Sequence, residues 1–354
     1  MQLPSLSLPI LLLIFIAAAA AIWWAGIRLS KTTDALSDRF HLGQALGGTI
    51  ILAIVTNLPE IAITISAALK GSLDLATGNI LGGIALQTLV LVVLDVFGLG
   101  KKGALTHVAA SMTLLLETLA VAAVLTLVVI GHQLPSKVSL FGISPANVMI
   151  ALVWLVSLLL VKEAGKGLPW KKQAMGHDDR VSGAGDPEKL QEQHDRGRSI
   201  AKVVSLFLFC AILTLVAGLL LEMSGEALAK EIHLDGLVFG ATILALATSL
   251  PEISTGLAAI KQGDHELAVS DILGGNAFLP VLFLLASAIA AKPSLPQAHP
   301  SDIYLTGVAL LLTLIYSVGL IFRSPKQYMR MGIDSLAVLL VYLLSIGGLF
   351  LIGK

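Results

Sequence analysis

Long apolar stretches alternate with short polar interruptions along the whole chain, in a rhythm set by a bilayer. About 20 residues at 1.5 Å each cross its hydrocarbon core. Ten stretches fit that reading: 8–27, 41–69, 73–97, 103–130, 143–161, 202–221, 236–260, 266–290, 303–322 and 334–352. The first begins without Lys or Arg, and nothing after it reads as a mature soluble domain, so a retained helix is expected there rather than a cleaved signal peptide. The second and seventh are unusual, since each carries a proline and a glutamate at mid-helix, Pro59-Glu60 and Pro251-Glu252. One long polar segment, from about Glu163 to Ser199, mixes both charges with Gly and Pro and reads as a cytoplasmic linker with room for a short helix near Pro187–His194. Its Asp178, Asp179 and Asp186 do not have the spacing of an EF-hand loop, so a solvated linker is the stronger reading.

Composition sharpens the picture. Of 354 residues, 56% are hydrophobic and 13% charged, roughly half the charge of a soluble chain, which carries about 25%. Disorder is excluded by the apolar content. With 23 Lys+Arg against 23 Asp+Glu there is no basic excess for a nucleic acid. A single cysteine, Cys210, excludes a disulfide framework and a cysteine-ligated metal. With the N-terminus placed outside, 18 of the 23 Lys and Arg fall on the inner side and 5 on the outer. That bias predicts ten spans with both termini outside.

The chain also repeats itself. A shift of 192 residues aligns Gly48–Gly83 with Gly240–Gly275 without a gap, and 17 of the 36 pairs are identical. Each unit then holds five spans, residues 1–162 and 200–354, with the linker 163–199 between them. An odd number of spans makes the second copy enter the membrane from the opposite side. The expected fold is an all-α polytopic membrane protein of ten transmembrane helices in two inverted five-helix repeats. That architecture belongs to secondary transporters, whose site lies where the copies meet.

The repeated residues suit a cation. A carboxylate at mid-bilayer costs at least about 2.5 kcal/mol, yet the chain keeps Glu60, Glu252 and Asp271. Pro59 and Pro251 cannot donate to the carbonyls of Val55 and Ala247, and the distortion is expected to tilt the carbonyls of Ala53 and Ala245 outward. Thr56 and Asn57 lie four and three residues before Glu60, on one helical face; Thr248 and Ser249 repeat the pattern before Glu252. In the following span, Asn79 of Gly78-Asn79-Ile-Leu-Gly82-Gly83 corresponds to Asp271 of Ser270-Asp271-Ile-Leu-Gly274-Gly275. The glycines allow close helix approach. Two copies together would make an all-oxygen cage for a hard ion: calcium with six to eight oxygens, or sodium. Neither motif holds His or Cys, which disfavours soft transition metals.

These residues resemble the calcium/cation antiporter superfamily, with its G-T-S-L-P-E-type and G-N-x-x-G-S-N-type motifs. The resemblance runs over all ten spans in order, with its specific signal in about 80 residues. Thr248–Glu252 reads TSLPE; Thr56–Glu60 reads TNLPE, with Asn57 where a hydroxyl residue is usual. Gly83-Ile84 replaces the usual Ser-Asn, and Gly275-Asn276 keeps half of it. The resemblance implies that Glu60 and Glu252 are shared ion ligands. It implies that Thr56, Asn57, Thr248, Ser249, Asn79 and Asp271 complete the sites, with main-chain oxygens at Ala53 and Ala245. The Asn79/Asp271 pairing is similar to prokaryotic sodium/calcium exchangers, whereas Asn57 is similar to the G-N-x-x-E motif of proton/calcium exchangers. The implied activity is exchange of calcium for sodium by alternating access, the alternative being proton-coupled exchange of calcium or another divalent ion. The implied partners are these ions and the lipid bilayer, with no cofactor, no nucleic acid and no enzymatic step; the oligomeric state stays open, a monomer being compatible.

Other residues are set aside. Glu117, in the fourth span, corresponds to Ala309 and reads as a hydrogen-bonded structural acid, with a proton-linked side site as the lesser reading. Asp95, Gln87 and Glu222 read as interfacial or packing residues. His265-Glu266 begins a zinc-type HExxH, but position 269 is Val, so a solvated loop is expected. A two-carboxylate intramembrane hydrolase would need a proton-sharing aspartate pair, and a channel would not need charge-dependent occlusion; both fit less well than a carrier.

Overall fold

The computed structural model describes residues 6–39, 49–100, 103–140, 142–165, 200–233, 239–295 and 299–352. The linker's expected short helix and Asp178, Asp179 and Asp186 lie outside the described residues, as do 40–48 and 234–238 with Gly43, Gly47, Gly48 and Gly236. Among the described residues the regular structure is helical apart from an isolated bridge between Leu140 and Ile143 and a two-residue antiparallel ladder pairing Gln327–Tyr328 with Met331–Gly332. Among the described residues, seven helices are long and apolar enough to cross a membrane. An eighth crossing follows if a pair bent by 47° counts as one. The molecule is a multi-pass membrane protein.

The first half contains α1 (Leu8–Arg39), α2 (Thr49–Thr56), α3 (Leu58–Lys70), α4 (Leu73–Leu94), a short α5 (Leu105–Ala109), α6 (Met112–Gln133) and α7 (Pro145–Gly165). The second contains α8 (Ile200–Glu231), α9 (Ala245–Thr248), entered through a π turn at Gly240–Leu244, then α10 (Leu250–Gln262), α11 (His265–Phe278), α12 (Leu282–Ala290), α13 (Pro300–Phe322) and α14 (Ile333–Ile352). Adding 192 to both ends of α1 gives the ends of α8, and the same shift carries α3 onto α10. The punctuation is responsible. Gly71 and Gly263 end α3 and α10 with φ of 75° and 89°, each sending its N–H back to two carbonyls of the last turn. Only glycine adopts that left-handed cap at no steric cost.

Two boundaries differ from hydropathy. The helices α1 and α8 run 32 residues each, beyond the expected limits of 27 and 221. At 1.5 Å per residue each is about 48 Å long, more than the roughly 30 Å hydrocarbon core. The helix continues through polar residues such as Lys31 and Thr32 after the apolar run has ended. The expected eighth span, 266–290, is a single crossing from His265 to Ala290, with a 3₁₀ turn at Leu279–Val281 around Pro280, where proline removes a ladder donor.

Packing crosses between the halves. The long helices α1 and α8 lie along each other; α1 also rests on α10, and α8 on α3. Gly26 and Gly218, again 192 apart, make that approach possible. A Cβ at Gly26 would lie 2.9 Å from Pro251 Cα, and one at Gly218 would lie 3.0 Å from Pro59 Cα. The core helices cross likewise: α11 packs on α2, and α4 on the Gly240–Leu244 turn and α9. The most buried long span is the one containing α4. Asp95, beyond its end, is a buried packing residue that accepts from Leu105 N–H at 2.8 Å and Gly332 N–H at 2.7 Å.

Candidate cation site

The site begins at two helix breaks. Asn57 separates α2 from α3, and Ser249 separates α9 from α10. In each case the sequence continues Leu-Pro-Glu, so proline sits in the first turn of a new helix, where its missing N–H is not needed. Glu60 and Glu252 therefore stand in the first turns of α3 and α10. There the unpaired N–H groups and the helix dipole favour negative charge. Both glutamates are fully buried.

The carbonyls of Ala53 and Ala245 are not left free at the breaks as the sequence suggests. Ala53 O accepts from Asn57 Nδ2 at 2.6 Å and from Thr56 Oγ1 at 3.3 Å. Ala245 O accepts from Ser249 Oγ at 2.8 Å, from Thr248 Oγ1 at 3.1 Å and still from Ser249 N–H at 3.0 Å. The side chain at the break caps its own turn in both copies, so the helical ladder relaxes only locally.

Nor do Thr56 and Glu60 work as neighbours on one continuous helix. Proximity also runs between the copies. Glu252 faces Thr56, and Glu60 faces Thr248 and Gln87. Thr56 Oγ1 is 3.3 Å from Asp271 Oδ1, whose other oxygen accepts from Thr255 Oγ1 at 2.7 Å. Glu252 lies within electrostatic reach of both Glu60 and Asp271. A small crevice is lined by Leu52, Thr255, Gly256, Gln262 and Asp271.

Gln87 is not the packing residue the sequence suggested. It is fully buried, and its Nε2 donates to Asn57 Oδ1 at 2.9 Å and to Glu252 Oε1 at 3.3 Å. Its place in the middle of α4 puts it against the breaks. Thr255 was also missed: its mirror position is Ile63, so the repeat comparison does not single it out.

Five buried acceptor atoms around these residues have no donor in hydrogen-bonding geometry, Glu60 Oε1 and Oε2, Glu252 Oε2, Asn79 Oδ1 and Gln87 Oε1, and the Asn79 Nδ2 donor is likewise unpartnered. Buried polar atoms are normally satisfied, so such a concentration calls for an electropositive partner. Among the described residues no three His, Cys, Asp or Glu side chains are grouped as a metal-holding set. An ion here would therefore share its shell with neutral oxygens. Glu117 lies apart, buried, accepting from Ser270 Oγ at 2.5 Å and lining a small cavity with Ala53, Ile54, Ser157 and Gly274. Glu222 pairs with Lys70 at 2.7 Å. His265-Glu266 forms the first turn of α11 rather than a loop, and Glu266 accepts from Ser111 Oγ at 2.6 Å.

The chain matches the family model described as sodium/calcium exchanger protein over residues 10–162 and 202–351. It is 27% identical over 311 residues to the inner membrane protein YrbG of Escherichia coli, covering 86% of this chain and 87% of that protein. It is 28% identical over 113 residues to the sodium/calcium exchanger MaX1 of Methanosarcina acetivorans, covering 32% and 31%. A solved structure of the sodium-calcium exchanger NCX_Mj superposes with a TM-score of 0.64 at 16% identity, over 96% of this chain and 98% of that one.

Proposed function

We propose that this chain, which belongs to the sodium/calcium exchanger protein family, is a secondary-active antiporter that exchanges calcium for sodium across the cell's inner membrane by alternating access. The observation that carries this reading is the set of buried, donorless oxygens at the two helix breaks. Two carboxylates at helix N-termini, with neutral oxygens around them, suit a hard divalent ion of flexible coordination. Glu60 and Glu252 are the shared ligands. Thr56, Asn57, Thr248, Ser249, Asn79 and Asp271 complete the positions, and the carbonyls of Ala53 and Ala245 are recruited when an ion replaces the hydroxyl and amide donors now on them.

The architecture in this reading is ten spans in two oppositely inserted units, 1–162 and 200–354, joined by the cytoplasmic linker 163–199, with both termini outside. The matching ends of α1 and α8 and of α3 and α10 support it. Both copies lie in one chain, so a monomer holds a complete site.

Exchange follows from charge. An empty cage exposes two or three buried negative charges, and moving that charge through the low-dielectric core is prohibitive. Filled with calcium or with monovalent ions, the cage is close to neutral. The outer pair α1 and α8, which rests on α10 and α3 through Gly26 and Gly218, then slides past the breaks to change the accessible side. Calcium and the coupling ions share Glu60 and Glu252, so one set leaves before the other binds.

A proton-coupled mode is the second reading, favoured by Asn57, whose amide oxygen is already engaged by Gln87. Calcium flux into proteoliposomes under an imposed sodium gradient at clamped pH separates the two, followed by a pH gradient without sodium. Uptake driven by sodium alone supports the first reading, and uptake driven only by protons replaces it with the second. Flux indifferent to both gradients overturns antiport.

A further inference from the structure

We propose that the Gln87 carboxamide is a built-in stand-in for a monovalent cation, taking one ion position on the Asn57 side; the proposal rests on the cation-site reading above. Its Nε2 bridges Asn57 Oδ1 at 2.9 Å and Glu252 Oε1 at 3.3 Å. One acceptor comes from each copy of the repeat, and one is a carboxylate. An N–H₂ group bridging an anion and a carbonyl-type oxygen puts positive charge density where a small unhydrated cation would put it.

The neighbourhood is arranged around that bridge. Asn57 Nδ2 donates to Ala53 O at 2.6 Å, which turns Oδ1 toward Gln87. Gly275 leaves the room: a Cβ there would lie 2.6 Å from Asn57 Nδ2 and 3.4 Å from Gln87 Oε1. The amide pair therefore requires the missing side chain at 275. At the mirror glycine, Gly83, a Cβ would meet only Leu279, at 3.6 Å.

The second copy has none of this. Leu279 stands opposite Gln87 in the repeat and has no donor to offer. Ser249 Oγ instead donates to its own turn, at Ala245 O, at 2.8 Å. A sodium-like ion meets a hydroxyl oxygen on the Ser249 side and a competing amide on the Asn57 side.

The test is equilibrium binding of radioactive calcium to the purified full-length protein, displaced by sodium at fixed pH. It uses Gln87→Leu and Asn57→Ser, each installing the second copy's residue in the first. Both variants remove the Gln87–Asn57 hydrogen bond, and losing that one bond of ordinary net strength should let sodium displace calcium at about ten-fold lower concentration, and along a steeper curve. An unchanged sodium midpoint in both variants overturns the proposal. So does a parallel fall in calcium and sodium affinity, which would make Gln87 a positioning prop. If Gln87→Leu does not fold, Asn57→Ser gives the same readout. Glu60→Gln is the separate control: calcium binding that survives it removes the site from this place, whatever Gln87 does.

Discussion

The two copies share a skeleton and differ in chemistry. Both break one residue before Leu-Pro-Glu, both end the following half-helix on a left-handed glycine, and both seat the partner's outer helix on the proline. The first copy fills this frame with amides, Asn57, Asn79 and Gln87; the second uses hydroxyls and an acid, Ser249, Thr255 and Asp271. Backbone geometry tolerates few residue types, so the frame recurs as identity. The proposed ligands occupy positions where several oxygen-bearing side chains fit, so they differ. The copies also meet at the breaks, with Glu60 near Thr248 and Glu252 near Thr56.

If neither copy makes a site alone, neutralising either glutamate should be equally disabling. Glu60→Gln and Glu252→Gln should each reduce calcium flux in proteoliposomes by more than about 100-fold, because each removes a charged ligand from a dehydrated shell. A variant that kept near-normal flux would show that one copy suffices, and would undo the crossed arrangement.

A smaller effect probes the outer helices. Gly26→Leu and Gly218→Leu place a side chain where a single Cβ already comes within 2.9 and 3.0 Å of proline Cα atoms. Overpacking of this kind costs about 1–3 kcal/mol, so flux should fall roughly 10- to 100-fold. Calcium affinity should hold, because neither glycine touches the carboxylates. Loss of binding in step with flux would mean the prolines shape the site rather than the sliding surface. The two variants should behave alike, since the contact recurs in both copies.

The Gly275–Asn57 contact gives a weaker, asymmetric effect. Gly275→Ser should destabilise the protein by about 1–2 kcal/mol through the clash with the Asn57 amide, read as a lower melting temperature. Adding Asn57→Ser should recover most of that loss. Gly83→Ser, in the roomier mirror position, should cost less.

The sequence made the frame legible because Gly, Pro and Glu recur at a fixed shift, and each has a narrow physical use. The family model and the superposition with NCX_Mj agree with the fold reading at the level of an exchanger-type helical membrane protein. Gln87 and Thr255 escaped because their mirror residues, Leu279 and Ile63, are apolar and a repeat comparison discards them. The available signal was different: Gln87 is the lone amide between Ile80 and Leu94 in a membrane span, and such a group needs a partner. The contacts between copies were out of reach, because i to i+4 spacing speaks only of neighbours on one helix. The lengths of α1 and α8 were underestimated for a related reason: hydropathy marks where lipid ends, whereas a helix can continue into water.

The smallest expected effect lies where the copies differ outside the site. Lys70, the last residue of α3, pairs with Glu222 of α8 at 2.7 Å, and Ser66 Oγ donates to the same carboxylate at 3.2 Å. The mirror position on α10 is Gln262. The pair is lopsided, the Lys70 side chain being 43% exposed and that of Glu222 0%. Lys70→Met therefore strands a buried acid, whereas Glu222→Gln leaves a lysine that water can solvate. The first should cost about 1 kcal/mol, reduced from a fully buried pair by the exposure of the ammonium, and the second a few tenths. Thermal unfolding of the two variants in detergent measures the ordering. Equal losses would mean that Glu222 is held by Ser66 and the packing of α8, and that the extra charge pair of the first copy carries no stability of its own.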